Sequence, residues 1–96
     1  MEVKEILQKI KDIWGEEKLS LAQMIVRLGK VQGDICRWER NAAKDTDLHN
    51  DEELKKEFGN LITASIKFCD ELGYDPEECI SLAIDCQKKY VADGNK

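Results

Sequence analysis

The chain has 96 residues, a formal net charge of −5, and 42% hydrophobic against 36% charged residues, a balance that supports one soluble helix-rich core and excludes a disordered chain. The acidic balance argues against general nucleic-acid binding, and no apolar run approaches the ~20 residues that span a bilayer, so neither nucleic acid nor membrane is an expected partner. The opening MEVKEILQKI alternates charges with aliphatics instead of forming a signal-peptide core, so a cytoplasmic location is expected for a single domain over residues 1–96.

Val3, Ile6, Leu7, Ile10, Ile13 and Trp14 recur at helical spacing and predict a helix over residues 2–14, stopped by Gly15. Ser20 followed by Gln23 is a capping-box pattern, with Leu19 and Met24 placed as a hydrophobic staple. A second helix then runs to about Asn41 with the stripe Leu21, Met24/Ile25, Leu28, Val31, Ile35 and Trp38. Gly29 and Gly33 lie inside it, each costing ~1 kcal/mol against alanine, and call for a reason such as close helix approach or room for a ligand.

Residues 42–50, AAKDTDLHN, read as a polar connection whose lone His49 has no partner for metal ligation. Asn50 with the acids Asp51, Glu52 and Glu53 marks the start of a third helix. It buries Leu54, Phe58, Leu61/Ile62, Ser65, Phe68/Cys69 and Leu72, and stops at Gly73. Asp75-Pro76-Glu77-Glu78 opens a fourth, with Asp75 as cap, proline at the first helical position and Glu78 completing a box; Ile80, Ala83, Cys86/Gln87 and Tyr90 continue its stripe and residues 94–96 fray. The cysteines Cys36, Cys69, Cys79 and Cys86 lack C-x-x-C spacing and are expected to be buried free thiols. Four amphipathic helices without alternating β pattern predict an all-α bundle, and stripes this long for so small a volume predict a dimer or higher oligomer.

Glu57 and Asn60 stand one turn apart, the spacing by which helical bundles offer oxygens to Mg²⁺. Residues 18–33 hold no acid but carry Arg27 and Lys30, also one turn apart, with Arg37 following on roughly the same face.

Over residues 17–93 the chain resembles the all-α nucleoside triphosphate pyrophosphohydrolases of the MazG and dCTP-pyrophosphatase type. EFGNLITASIKFCDELGYDPEECI over residues 57–80 is similar to that family's third helix, turn and fourth-helix start, and QKKYVAD over residues 87–93 to its basic K-K-Y end. Arg37-Trp38 resembles a Q-W found there, offset by one residue. The resemblance implies a four-helix MazG-like bundle and a site where E-E-x-x-E on the second helix and E-x-x-D on the third hold Mg²⁺ around a triphosphate, splitting NTP into NMP and pyrophosphate. Here the second-helix motif reads Val26-Arg27-Leu28-Gly29-Lys30; registering Gly33-Asp34 on it restores one acid, and Asn60 stands in place of the aspartate. A site stripped of two or three carboxylates holds too little charge for Mg²⁺.

The expectation is therefore a nucleotide-binding or nucleotide-sequestering protein without cofactor, metal or catalytic residues, its phosphate held by cations. Arg27, Lys30, Trp38, Glu57, Asn60, Lys88 and Lys89 form the expected ligand-binding set, with Trp38, Lys88 and Lys89 placed by the resemblance. Arg27 and Lys30 paired with Glu57 would instead fill a dead cavity. One alternative is an active pyrophosphohydrolase with a reduced Mg²⁺ site of Asp34, Glu57 and Asn60, of which Asp34 and Glu57 are the metal candidates. The other is a helical interaction module without a small ligand.

Overall fold

The computed structural model describes residues 1–16, 18–40 and 49–95. Four helices follow one another: α1 over Val3–Trp14, α2 over Leu21–Arg40, α3 over Asp51–Glu71 and α4 over Pro76–Ala92. The described residues contain no strand, so the architecture is all-α as expected. No helix among them is long and apolar enough to cross a membrane. The predicted end of the second helix at Asn41 and the connection up to residue 48 lie outside the described residues.

Local chemistry sets the helix ends. The Ser20 amide donates to Gln23 Oε1 at 2.9 Å while the Gln23 amide donates to Ser20 Oγ at 3.2 Å, a reciprocal box that satisfies two donors at the start of α2. Asn50 caps α3 by accepting from the Glu53 amide at 2.9 Å, with three acids in the first turn facing the positive end of the helix dipole. At the other end Gly73 takes φ +80°, which an L side chain resists, and lets the Tyr74 amide return to the Cys69 carbonyl at 2.9 Å. Asp75 then accepts from the Glu77 amide at 3.0 Å ahead of Pro76. Glu78 makes no reciprocal bond to Asp75 among the described residues, so that box is half-formed. Gly94 and Asn95 are better held than expected, because the amides of Asp93, Gly94 and Asn95 all return to carbonyls of the last turn, while residue 96 of the predicted fraying lies outside the described residues.

α3 is the centre of the fold: it packs most extensively on α2, less on α1 and least on α4. Among the described residues the buried apolar core is Ile10, Met24, Ile66 and Phe68, Met24 most deeply at 2% exposure, and Pro76 at the start of α4 is buried as well. The predicted third-helix stripe is corrected on this point. Phe58, Ile62, Ser65 and Leu72 are exposed while Ile66, outside the stripe, is buried, because α4 packs on α3 less than α2 and α1 do and leaves much of that stripe uncovered. Ile80, Ala83, Cys86, Gln87 and Tyr90 are accordingly exposed along α4. Cys36 and Cys86 are exposed free thiols and Cys69 and Cys79 half-buried ones, so none is buried as expected. A Cβ at Gly29 or Gly33 meets nothing within 4 Å, so close helix packing does not account for these glycines.

The result is open. The radius of gyration is 15.9 Å, against roughly 12.5 Å for a compact domain of this length.

Candidate functional site

Where α1, α2 and α3 meet, they enclose a cleft of about 540 Å³. The spacing within each helix explains who lines it. α2 contributes Arg27, Lys30, Val31 and Asp34, which recur at three- and four-residue steps, and α3 contributes Asn60, Thr63, Ala64, Lys67 and Phe68 in the same manner. α1 adds Ile10 and Trp14. Apolar side chains form the floor and three cations with one acid surround it.

The cations differ in their commitments. Asp34 accepts from Arg37 and lies 3.7 Å from Lys30, so one carboxylate serves two cations on the same helix. Lys67 pairs with Glu71 one turn along α3, and this pair is the more enclosed, the side chains being 17% and 7% exposed. Glu71 Oε2 stays buried without a hydrogen-bond partner among the described residues. Arg27 makes no ion pair and no side-chain hydrogen bond among the described residues. It is therefore the cleft's uncommitted guanidinium, and with a planar fork of donors it suits an oxyanion.

The structure unites Arg27, Lys30, Asp34 and Asn60 in the cleft and leaves other predicted positions outside it. Glu57 does not line it, and its Oε2 is buried without a partner among the described residues, so the alternative in which Arg27 and Lys30 pair with Glu57 is not formed there. Glu57 acts instead from a distance on Lys56, whose ammonium is held above the ordinary lysine range chiefly by its hydrogen bond to Glu53, with Glu57 adding a smaller charge effect. Arg37 turns to Asp34 rather than into the cleft. Trp38 is engaged elsewhere: its Nε1 donates to the Asn50 carbonyl at 3.2 Å and its ring stacks on His49 with centroids 3.8 Å apart. Lys88 and Lys89 are exposed on α4 and do not line the cleft.

Sequence reasoning did not single out Thr63, Ala64 or Lys67 and did not place Trp14 at the site. Lys67 sits in the third helix among apolar positions, at an i,i+4 spacing to Glu71 that ordinary surface pairs share. Trp14 read as part of the first helix's core stripe. The one available signal for Lys67 was its position seven residues, or two turns, beyond Asn60.

The donor set does not fit Mg²⁺. That ion favours carboxylates in near-octahedral array, whereas the cleft offers one carboxylate already shared by two cations, one neutral amide, and a Thr63 hydroxyl within 3.0 Å and 3.2 Å of the carbonyls of Gly59 and Asn60 in its own helix. Among the described residues no three histidine, cysteine, aspartate or glutamate side chains gather as a ligand group. What the arrangement can do is attract and orient an anion over an apolar floor. No family model, curated protein or solved structure matches the chain.

Proposed function

We propose that this chain binds a phosphate-bearing small molecule of the nucleotide class through Arg27, Lys30 and Lys67, without Mg²⁺-dependent pyrophosphohydrolysis. The observation that carries the reading is Arg27, a guanidinium facing a cleft of about 540 Å³ with no acid committed to it among the described residues. The volume lies in the range of small-molecule sites. Three cations against Asp34 give the cleft a positive local charge in a chain whose net charge is −5. That contrast supports a small anion, which enters a local positive field, over a nucleic acid, which meets the whole surface. The test is thermal denaturation with nucleoside triphosphates, with and without EDTA. Stabilisation that persists in EDTA is expected; pyrophosphate release that requires Mg²⁺ would establish the hydrolase reading instead.

The chain acts, in this proposal, as a homodimer or tetramer. A compact monomer of 11.0 kDa exposes roughly 5,600 Å², whereas this chain exposes 7667 Å². The excess, on the order of 2,000 Å² per protomer, is what obligate homo-oligomers cover. Phe58 and Ile62 on α3, with Ile80, Ile84 and Val91 on α4, supply the apolar surface for a second copy. Sedimentation equilibrium at micromolar concentration is expected to return a multiple of the chain mass. A species of 11.0 kDa with a contracted radius would mean that α4 closes on its own chain.

A further inference from the structure

Trp14 occupies the last turn of α1, immediately before Gly15 turns the chain at φ +76°. Its indole lines the same cleft as Arg27, Lys30 and Lys67, yet 62% of the residue remains exposed. The contrast with the other tryptophan is informative. Trp38 has its N–H bonded to the Asn50 carbonyl and its ring stacked on His49. The Trp14 side chain has no hydrogen bond and no ring contact among the described residues, so its π-face and its indole N–H are both uncommitted. A large ring left open to solvent gives up the burial that usually recruits tryptophan. Here it does so in a cationic cleft that Ile10, Val31 and Phe68 also line.

We infer that Trp14 is the stacking platform for the aromatic ring of the ligand, so that the cleft holds a nucleotide with its base on the indole and its phosphates on the cations. This rests on the phosphate-binding reading above and adds the ring-binding half of the site. Bare phosphate or a phosphorylated sugar satisfies Arg27 and Lys30 but leaves the indole bare; a nucleotide satisfies both. Stacking tolerates any base, because every base presents a π-face. The site therefore separates nucleotides from inorganic polyphosphate strongly and one base from another weakly.

The experiment compares a nucleoside triphosphate with inorganic tripolyphosphate by calorimetry, in EDTA, on the native chain, Trp14→Ala and Trp14→Phe. The nucleotide is expected to bind roughly 5- to 150-fold tighter than tripolyphosphate. Trp14→Ala should abolish that advantage while leaving tripolyphosphate affinity unchanged, and Trp14→Phe should restore part of it. In a Trp38→Phe background, where Trp14 is the sole indole, the nucleotide should quench fluorescence and tripolyphosphate should not. Equal affinity for the two compounds in the native chain, or equal weakening of both by Trp14→Ala, overturns the platform and leaves phosphate binding standing. Binding of neither compound overturns both.

Discussion

Replacing Arg27 by glutamate reverses a charge at the cleft while leaving the fold's own contacts untouched, because Arg27 is exposed and has no ion pair among the described residues. The unliganded variant should hence melt close to the native chain, its stability changed by no more than about 0.5 kcal/mol. Binding is another matter. A charge-assisted hydrogen bond contributes ~1.5–3 kcal/mol, and the exposed setting places Arg27 at the lower end of that range. The introduced carboxylate adds repulsion on the order of 1 kcal/mol at water-like dielectric. Together these predict a loss of ~2–3 kcal/mol, or about 30- to 150-fold in Kd. At a ligand concentration near 100 Kd, stabilisation of the native chain is ~2.7 kcal/mol, a Tm rise of about 10–20 °C for a domain of this size. The variant at the same concentration should rise by only about 2–6 °C. The measurement is a fluorescence-monitored melt in low salt and EDTA, repeated at high salt, where screening should shrink the native shift. An identical nucleotide-induced shift in Arg27→Glu and native protein would refute the assignment of phosphate to this cleft.

Asp34→Asn separates the cation and metal readings, since it frees Lys30 and Arg37 from their shared acid; phosphate affinity by calorimetry should rise several-fold, whereas a metal ligand's loss would lower it. Lys67→Met leaves Glu71, 7% exposed, without its cation and should destabilise by ~3–5 kcal/mol in urea unfolding, with Lys67→Met/Glu71→Leu recovering much of it. Ser20→Ala removes one half of the α2 capping box and should lower stability by ~1 kcal/mol, seen as a Tm drop of about 4–8 °C. Burial first, then contact with Cys79, pushes the Cys69 thiol above the ordinary range. With a thiol reagent at pH 8, Cys36 and Cys86 should therefore react in a fast phase and Cys69 later. By the same shift, any stabilisation from the neutral Cys69 thiol is present below the unfolded thiol pKa and is lost as pH rises through the raised folded value.

Helix existence and most helix ends were legible in the chain because they depend on neighbours three or four residues away. The Ser20–Gln23 box, the Asn50 cap, the Gly73 reversal and the Asp75-Pro76 start each involve groups that meet whatever the rest of the molecule does. The cleft was half legible for the same reason: Arg27, Lys30 and Asp34 share a face of α2 by spacing alone.

What periodicity could not decide was which face each helix turns to which neighbour. Phe58 and Ile62 fall on an apolar stripe by spacing, yet α4, the helix that packs least on α3, leaves them open. Glu57 and Asn60 stand one turn apart, yet only Asn60 reaches the cleft, which Trp14 enters from an apolar stripe and Lys67 from a position the spacing did not single out. The amino-acid sequence by itself determined the helices, their caps and the cationic face of α2, because those rest on local hydrogen bonds and residue spacing. Only the tertiary structure decided what that face looks at. The rotation and splay of packed helices are set by contacts remote in sequence, and these place Arg27 opposite Asn60, Lys67 and Trp14 rather than against Glu57.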